Sequence, residues 1–214
     1  HGITREAQDE LAARSHHRAA SAWDEGLFDN EVSPVTVGGT TVGRDTIVRG
    51  DTSVEKMARL RPAFASDGTL TAANSSALTD GASATLVMSE EKATELGFTP
   101  LAAFRSWAYS AVDPRDQLLK GPALSMPLAL KRAGLTLAAV DLIDMHEAFA
   151  AQVLSIAAML SDPEFARQEL GEHEAVGRID PAVLNVRGGS VALGHPFAAT
   201  GSRMVDTMAH ELHR

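Results

Sequence analysis

Two histidines stand where their neighbours would hold an imidazole still. His195 lies between Gly194 and Pro196, and His146 is followed directly by Glu147. Imidazole gains and loses a proton near neutral pH, so a ring on a stiff turn suits proton transfer to or from a reacting group. The run Asn185–Gly201 around His195 packs four glycines, one proline and one histidine into seventeen residues. Glycine at that density lets the backbone pass close to another group or adopt positive φ, and Pro196 fixes φ just after the histidine. A third stretch, Asn74–Gly81, is small and polar, as close approach to a ligand or to another chain segment requires. Two turn-borne histidines and a serine-rich backbone segment together suit a nucleophile-and-oxyanion site. An ordinary strand–turn–helix corner with packed histidines is the alternative.

Several other chemistries drop out. The zinc-protease pattern needs a second histidine four residues after the first, and position 150 is Ala150. The spacing around Ser190 is wrong for a Gly-x-Ser-x-Gly nucleophile turn, and no Gly-x-Gly-x-x-Gly marks a dinucleotide site. The 214 residues contain no cysteine, which removes thiolate metal sites and thiol catalysis from within them. A net charge of −9 disfavours nucleic acid as a partner, so an anionic ligand would need a local basic or backbone-amide site. No apolar run approaches the roughly 20 residues of a membrane span. The first residues, His1-Gly2-Ile3-Thr4, lack the basic and apolar regions of a signal peptide. A helical pattern begins at once without an initiator methionine, so a longer parent chain is expected.

The elements that must position these groups alternate between strand and helix, which implies an α/β sheet. Thr4 caps a first helix with Ile3, Ala7, Leu11, Ala19 and Trp23 inward, ended by Gly26. Arg14, His16, His17 and Arg18 read as its solvated face rather than as a metal or phosphate patch. A β-prone segment, Glu31–Thr41, turns at Gly38-Gly39. Thr52-Ser53-Val54-Glu55 is a capping box for a short helix with Val54, Met57, Ala58 and Leu60 inward. Ala82–Met88 and Leu101–Val112 read as strands. Helices are predicted over Glu90–Leu96, up to Ala133 before Gly134, over Glu147–Leu160 and over Ala199–Leu212. Val140–Met145 is a buried strand, Ser161–Gly177 a surface excursion and Ala182–Val186 a short strand.

Four segments in order resemble the thiolase family. Asn185-x-x-Gly188-Gly189-x-Val191-Ala192-x-Gly194-His195-Pro196-x-Ala198-x-Thr200-Gly201 is similar to its histidine signature, although glycine is commoner where Ala198 stands. Thr71–Ser76 with Asp80-Gly81, His146–Ala150, and Leu60–Phe64 resemble three further motifs. His-Glu-Ala-Phe, where many thiolases have Asn-Glu-Ala-Phe, is similar to the fatty-acid-oxidation branch and its trifunctional-type β-subunit.

The resemblance implies a layered α-β-α-β-α thiolase fold, incomplete in this chain. Residues 1–97 would be the latter part of the N-terminal domain with part of the loop region. Residues 98–214 would be the C-terminal domain without its last strands. It implies thiolytic cleavage of 3-ketoacyl-CoA by CoA, giving acetyl-CoA and a shortened acyl-CoA. CoA is then a substrate and no cofactor is needed. A non-catalytic thiolase-like protein that binds acyl-CoA or a subunit is the alternative.

By the same resemblance, His195 activates a cysteine nucleophile, and His146 takes the oxyanion-site position held elsewhere by asparagine. Glu147 anchors that strand end within the catalytic group. Ser76, Phe149 and Phe197 would meet the substrate, and Arg49 the nucleotide end of CoA, where a guanidinium suits phosphate. Both family cysteines would lie outside these residues, so the piece alone is expected to be inactive and to fold poorly, with open apolar edges. A homodimer, association with a hydratase/dehydrogenase α-subunit, and a cytoplasmic location in a bacterium or a mitochondrial one in a eukaryote are further implications.

Overall fold

The computed structural model describes all 214 residues. Helix α1 (Arg5–Asp24) starts where Thr4 Oγ1 accepts from the Ala7 amide, satisfying one of the helix's orphan donors. The chain then forms an antiparallel hairpin, β1 (Val35–Val37) with β2 (Thr40–Val42), with Val35 opposite Val42. Its two-residue turn, Gly38-Gly39, has both residues at positive φ, the geometry that matches strand twist. Ser53 caps α2 (Val54–Ala58), and Ser89 caps α3 (Glu90–Leu96). Left-handed glycines close α3 at Gly97 and α4 (Gly121–Ala133) at Gly134. Then come α5 (Ala150–Ser161), the short α6 (Pro163–Phe165) running into a π turn, α7 (Ser190–Leu193) and α8 (Ala198–His213). None of these helices is long and apolar enough to cross a membrane.

The main core joins Leu11 of α1, Ala123 of α4, and Val153, Ile156 and Leu160 of α5 to Ile143, Met145 and Leu184. Ile143 and Leu184 form a parallel bridge, so the predicted strand Val140–Met145 runs beside Ala182–Val186 through one hydrogen-bonded register. A second cluster packs Met57 and Val191 on Ala12 and Ala13 of α1. Helix α1 is therefore the post against which both the loop side and the motif side lean.

Four sequence expectations change. Ala82–Met88 and Leu101–Val112 run without β-ladder partners, and their apolar side chains face outward: Leu86 is 73% exposed and Trp107 63%. A strand needs neighbours on its edges, and neither segment finds one within this chain. In α2 only Met57 is buried, while Ala58 and Leu60 are exposed. Helix α5 begins at Ala150 rather than Glu147, because residues 146–148 are not helical and Phe149 is an extended N-cap.

The fourth change concerns part of the polar face of α1: His17 is exposed as expected, Arg14 and Arg18 are half-buried, and His16 is buried. His16 is only 5% exposed and accepts from the Arg49 amide at Nδ1. Arg18 donates to the carbonyls of Pro181, Ala182, Leu184 and Asn185. Asp9, also buried, pairs with Arg5 and accepts from Asn74. These polar groups fasten other segments to the helix instead of facing water.

Burial, with Arg49 and His17 adding repulsion, pushes the His16 pKa down from its ordinary value to about 4. The unfolded chain then takes up a proton that the folded chain refuses between about pH 6.5 and pH 4. His16 packing is thus fully favourable above about pH 6.5 and is lost progressively as pH falls through that window, by at most about 3 kcal/mol. Denaturant unfolding at pH 7 and pH 5 should show a smaller acid loss for His16→Gln than for wild type. Equal losses in the two proteins would refute the assignment.

Candidate active site

Three loops meet around the two histidines. The first is the small-residue segment: Ala150 N–H donates to Asn74 O (2.9 Å) and Ser76 N–H to Ala148 O (3.0 Å), with an antiparallel bridge between Ser75 and Phe149. Asn74 is itself fully buried, accepting from Thr71 N–H (2.8 Å) and donating to Asp9 (2.9 Å). The second is the non-helical stretch 146–149 that leads into α5, whose first amide, Ala150, would otherwise be an orphan. The third is the glycine-rich run, whose His195 N–H donates to Ala77 O (2.9 Å), beside a parallel bridge from Leu78 to His195.

The glycines are needed for close approach. Gly194 has φ +89°, and a Cβ there would stand 2.6 Å from Thr79 Oγ1. A Cβ on Gly81 would stand 2.8 Å from Pro196 Cγ, so Gly81 lets the His-Pro turn sit on the small-residue loop. Gly188, at φ +77°, passes against α1, where a Cβ would meet Ser15 O at 2.5 Å.

The two imidazoles come together, with ring centroids 4.2 Å apart and planes 42° from parallel. His195 Nδ1 is 2.8 Å from Thr200 Oγ1 in the first turn of α8. His146 Nδ1 is 2.7 Å from Ser190 Oγ at the start of α7. Burial first, then the neighbouring His195 and Arg203, lower the His146 pKa from its ordinary value to about 4, which keeps this ring neutral at working pH. Both rings are half-buried, so each keeps an accessible side.

Glu147 is fully buried beneath them and both of its oxygens are occupied. Asn185 Nδ2 donates to Oε1 (2.7 Å), while Ser15 Oγ (2.7 Å) and Val191 N–H (3.1 Å) donate to Oε2. Ser15 Oγ in turn accepts from Gly189 N–H (2.9 Å). Burial raises the Glu147 pKa and these donors oppose it; three donors at hydrogen-bonding distance are the surroundings of a carboxylate. Asn185 also brackets Met145, accepting from its N–H (2.7 Å) and donating to its O (2.9 Å), and takes φ +49° to do so. Glu147 therefore clamps the glycine-rich run, the strand end and α1 together, and its burial shuts it off from a substrate.

Behind His146, Asp144 and Arg203 face each other at 3.9 Å, and burial raises the Asp144 pKa to about 6.

The remaining residues singled out from the sequence divide into two groups. Ser76 Oγ donates to Ala148 O (3.1 Å) inside the loop pairing. Phe149 is half-buried and meets Phe64 edge-on, with centroids 6.0 Å apart. Phe197 stacks obliquely on His195 at 4.8 Å, is 66% exposed and holds the unusual φ of +41°. Phe197 therefore touches the histidine cluster, while Ser76 and Phe149 belong to the loop pairing that adjoins it. Arg49 joins neither: its side chain is exposed, and its polar contacts are made by its backbone, the amide to His16 and the carbonyl to the Thr52 amide. Ser15 and Ser190 have no site role in the sequence expectations, because nothing marks one helical serine among many and the spacing around Ser190 suits no nucleophile turn; Thr200 enters there only as a signature position.

The sequence profile of the thiolase N-terminal domain matches residues 1–91, and that of the thiolase C-terminal domain matches residues 98–214. A 3-ketoacyl-CoA thiolase from Escherichia fergusonii is 54% identical over the whole of this chain, which covers 50% of that protein. One from Serratia proteamaculans is 53% identical with the same coverage. Among solved structures, an acetyl-CoA acetyltransferase from Syntrophomonas wolfei superposes with a TM-score of 0.81 at 36% identity, over 100% of this chain and 51% of that one. The human mitochondrial 3-ketoacyl-CoA thiolase superposes with a TM-score of 0.80 at 35% identity, over 99% and 50% respectively. The chain spans about half the length of the curated relatives it matches. With the thiolase fold and both domain profiles present, the chain belongs to the thiolase family.

Proposed function

We propose that the protein carrying this chain is an acetyl-CoA C-acyltransferase that cleaves 3-ketoacyl-CoA with CoA, as fatty-acid β-oxidation requires. The observation that carries this reading is the pair of imidazoles in contact, each fixed at Nδ1 by a hydroxyl and each with an accessible side. A neutral His146 supplies a fixed dipole where negative charge develops on a carbonyl oxygen. His195 exchanges the proton of a thiol as that thiol becomes a nucleophile.

In the first half-reaction the thiolate adds to the 3-keto carbon and the C2–C3 bond breaks. The acyl group stays on sulfur, and the C2 carbanion of the acetyl-CoA portion takes up a proton. In the second half-reaction the thiol of CoA displaces the enzyme sulfur and carries away the shortened acyl group. CoA is a substrate throughout. The nucleophilic thiol comes from outside these 214 residues, which hold no cysteine.

In this proposal the site residues take these roles. His195 is the base, and His146 an oxyanion donor. Glu147 is a positioning residue. Phe149 and Phe197 line the approach, Ser76 lies beside it, and Arg49 waits on the surface for phosphate.

The test is CoA-dependent cleavage of a 3-ketoacyl-CoA by the full-length protein and, separately, by the purified 214-residue chain. Turnover is expected in the first and none in the second. Cleavage by the cysteine-free chain alone would overturn the thiol mechanism. The missing thiol is also what a binding-only thiolase-like protein would show, and acyl-CoA binding without turnover by the full-length protein would establish that second reading.

A further inference from the structure

We propose that Ser190 is a positioning residue which, by donating its hydroxyl hydrogen to His146 Nδ1, holds that ring in the tautomer with hydrogen on Nε2. The argument is an accounting of hydrogens. Ser190 has no exposed surface, and its Oγ lies 2.7 Å from His146 Nδ1 with no other polar partner. A buried hydroxyl hydrogen needs an acceptor, and the Nδ1 lone pair is the only one offered. Hydrogen on Nδ1 would leave the Ser190 hydroxyl without an acceptor.

Local structure removes the usual escape. A serine inside a helix can turn its hydroxyl to the carbonyl four residues back. Ser190 is the first residue of α7, so the residue four back, Val186, precedes the helix and presents no aligned carbonyl. Thr200 Oγ1, in the first turn of α8 and 2.8 Å from Nδ1, is the corresponding hydroxyl at His195.

No residue of the chain accepts from His146 Nε2, and the ring is half-buried, so this donor is available to a ligand oxygen. The opposite tautomer would aim a lone pair at the same oxygen. The consequence for rate rests on the acyl-transfer reading above; the tautomer does not.

The experiment uses the full-length protein labelled with 15N-histidine, in which the ring nitrogens report directly which one is protonated. The His146 signals are identified as those lost in His146→Asn. In wild type, Nε2 is expected to carry the hydrogen at neutral pH, and Ser190→Ala should release the ring to a mixture of tautomers. Ser190→Cys, with similar volume and a weaker donor, reads the same effect should the alanine variant not fold.

For turnover, Ser190→Ala should lower kcat by about 10- to 100-fold, with KM within about twofold, and Ser190→Thr should restore most of the rate. A wild-type ring with hydrogen on Nδ1 overturns the proposal, as does an unchanged tautomer in a folded Ser190→Ala or Ser190→Cys protein. Should His195→Ala turn over normally, the acyl-transfer reading fails while the tautomer result still stands or falls by itself.

Discussion

Replacing His195 by alanine should lower CoA-dependent cleavage by the full-length protein about 10²- to 10⁴-fold, the contribution of a positioned general base. Most of the loss should appear in kcat, because the ring acts on the thiol rather than gripping the substrate. The expectation rests on how thoroughly this ring is placed. Its own amide is held by Ala77 O at 2.9 Å, and Thr200 Oγ1 stands 2.8 Å from Nδ1. Gly194 and Gly81 allow the turn to close on Thr79 and the small-residue loop. A side chain anchored from three directions in a half-buried cluster is organised for one task. Steady-state rates at saturating CoA provide the measurement, and a variant within twofold of wild type would end the assignment.

The second large effect is on stability. Glu147→Ala should destabilise the fold by about 3–5 kcal/mol, the usual cost of breaking a buried charged network from one side. The variant leaves the Ser15 hydroxyl, the Asn185 amide and the Val191 N–H without their acceptor in a place that water does not reach. It also opens a void under Gly189, whose absent Cβ would stand only 2.7 Å from Glu147 Oε1. Glu147→Gln should cost less, because one carboxamide oxygen can still accept. Denaturant midpoints of the three proteins decide the matter. An alanine variant as stable as wild type would show that the clamp contributes nothing. Lost activity in a fully stable variant would instead point to a direct chemical role.

How much was legible in advance depended on range along the chain. Thr4 and Ser89 as caps, Gly97 and Gly134 as helix ends, and Gly38-Gly39 as a hairpin turn all came out as read. Each is decided within a few residues by backbone geometry and the satisfaction of terminal amides. The histidine turn was legible for the same reason, since Gly-His-Pro restrains itself. The strands were not. Ala82–Met88 and Leu101–Val112 carry a strand's composition, but a ladder needs a second chain segment, and composition says nothing about whether one is there.

The sequence by itself determined the family and the caps and ends of several helices, and it pointed to the two histidines that the fold brings into contact. Only the tertiary structure decided what surrounds them. Ser15 reaches Glu147 across 132 residues, and Ser190 reaches His146 across 44. It also turned part of the polar surface of α1 inward, making Asp9, Ser15, His16 and Arg18 fasteners while His17 stays exposed. A polar side chain looks the same in sequence whether it meets water or a buried partner. Which it meets is set by the free energy of pairing distant groups as the core closes, and that is a property of the folded chain alone.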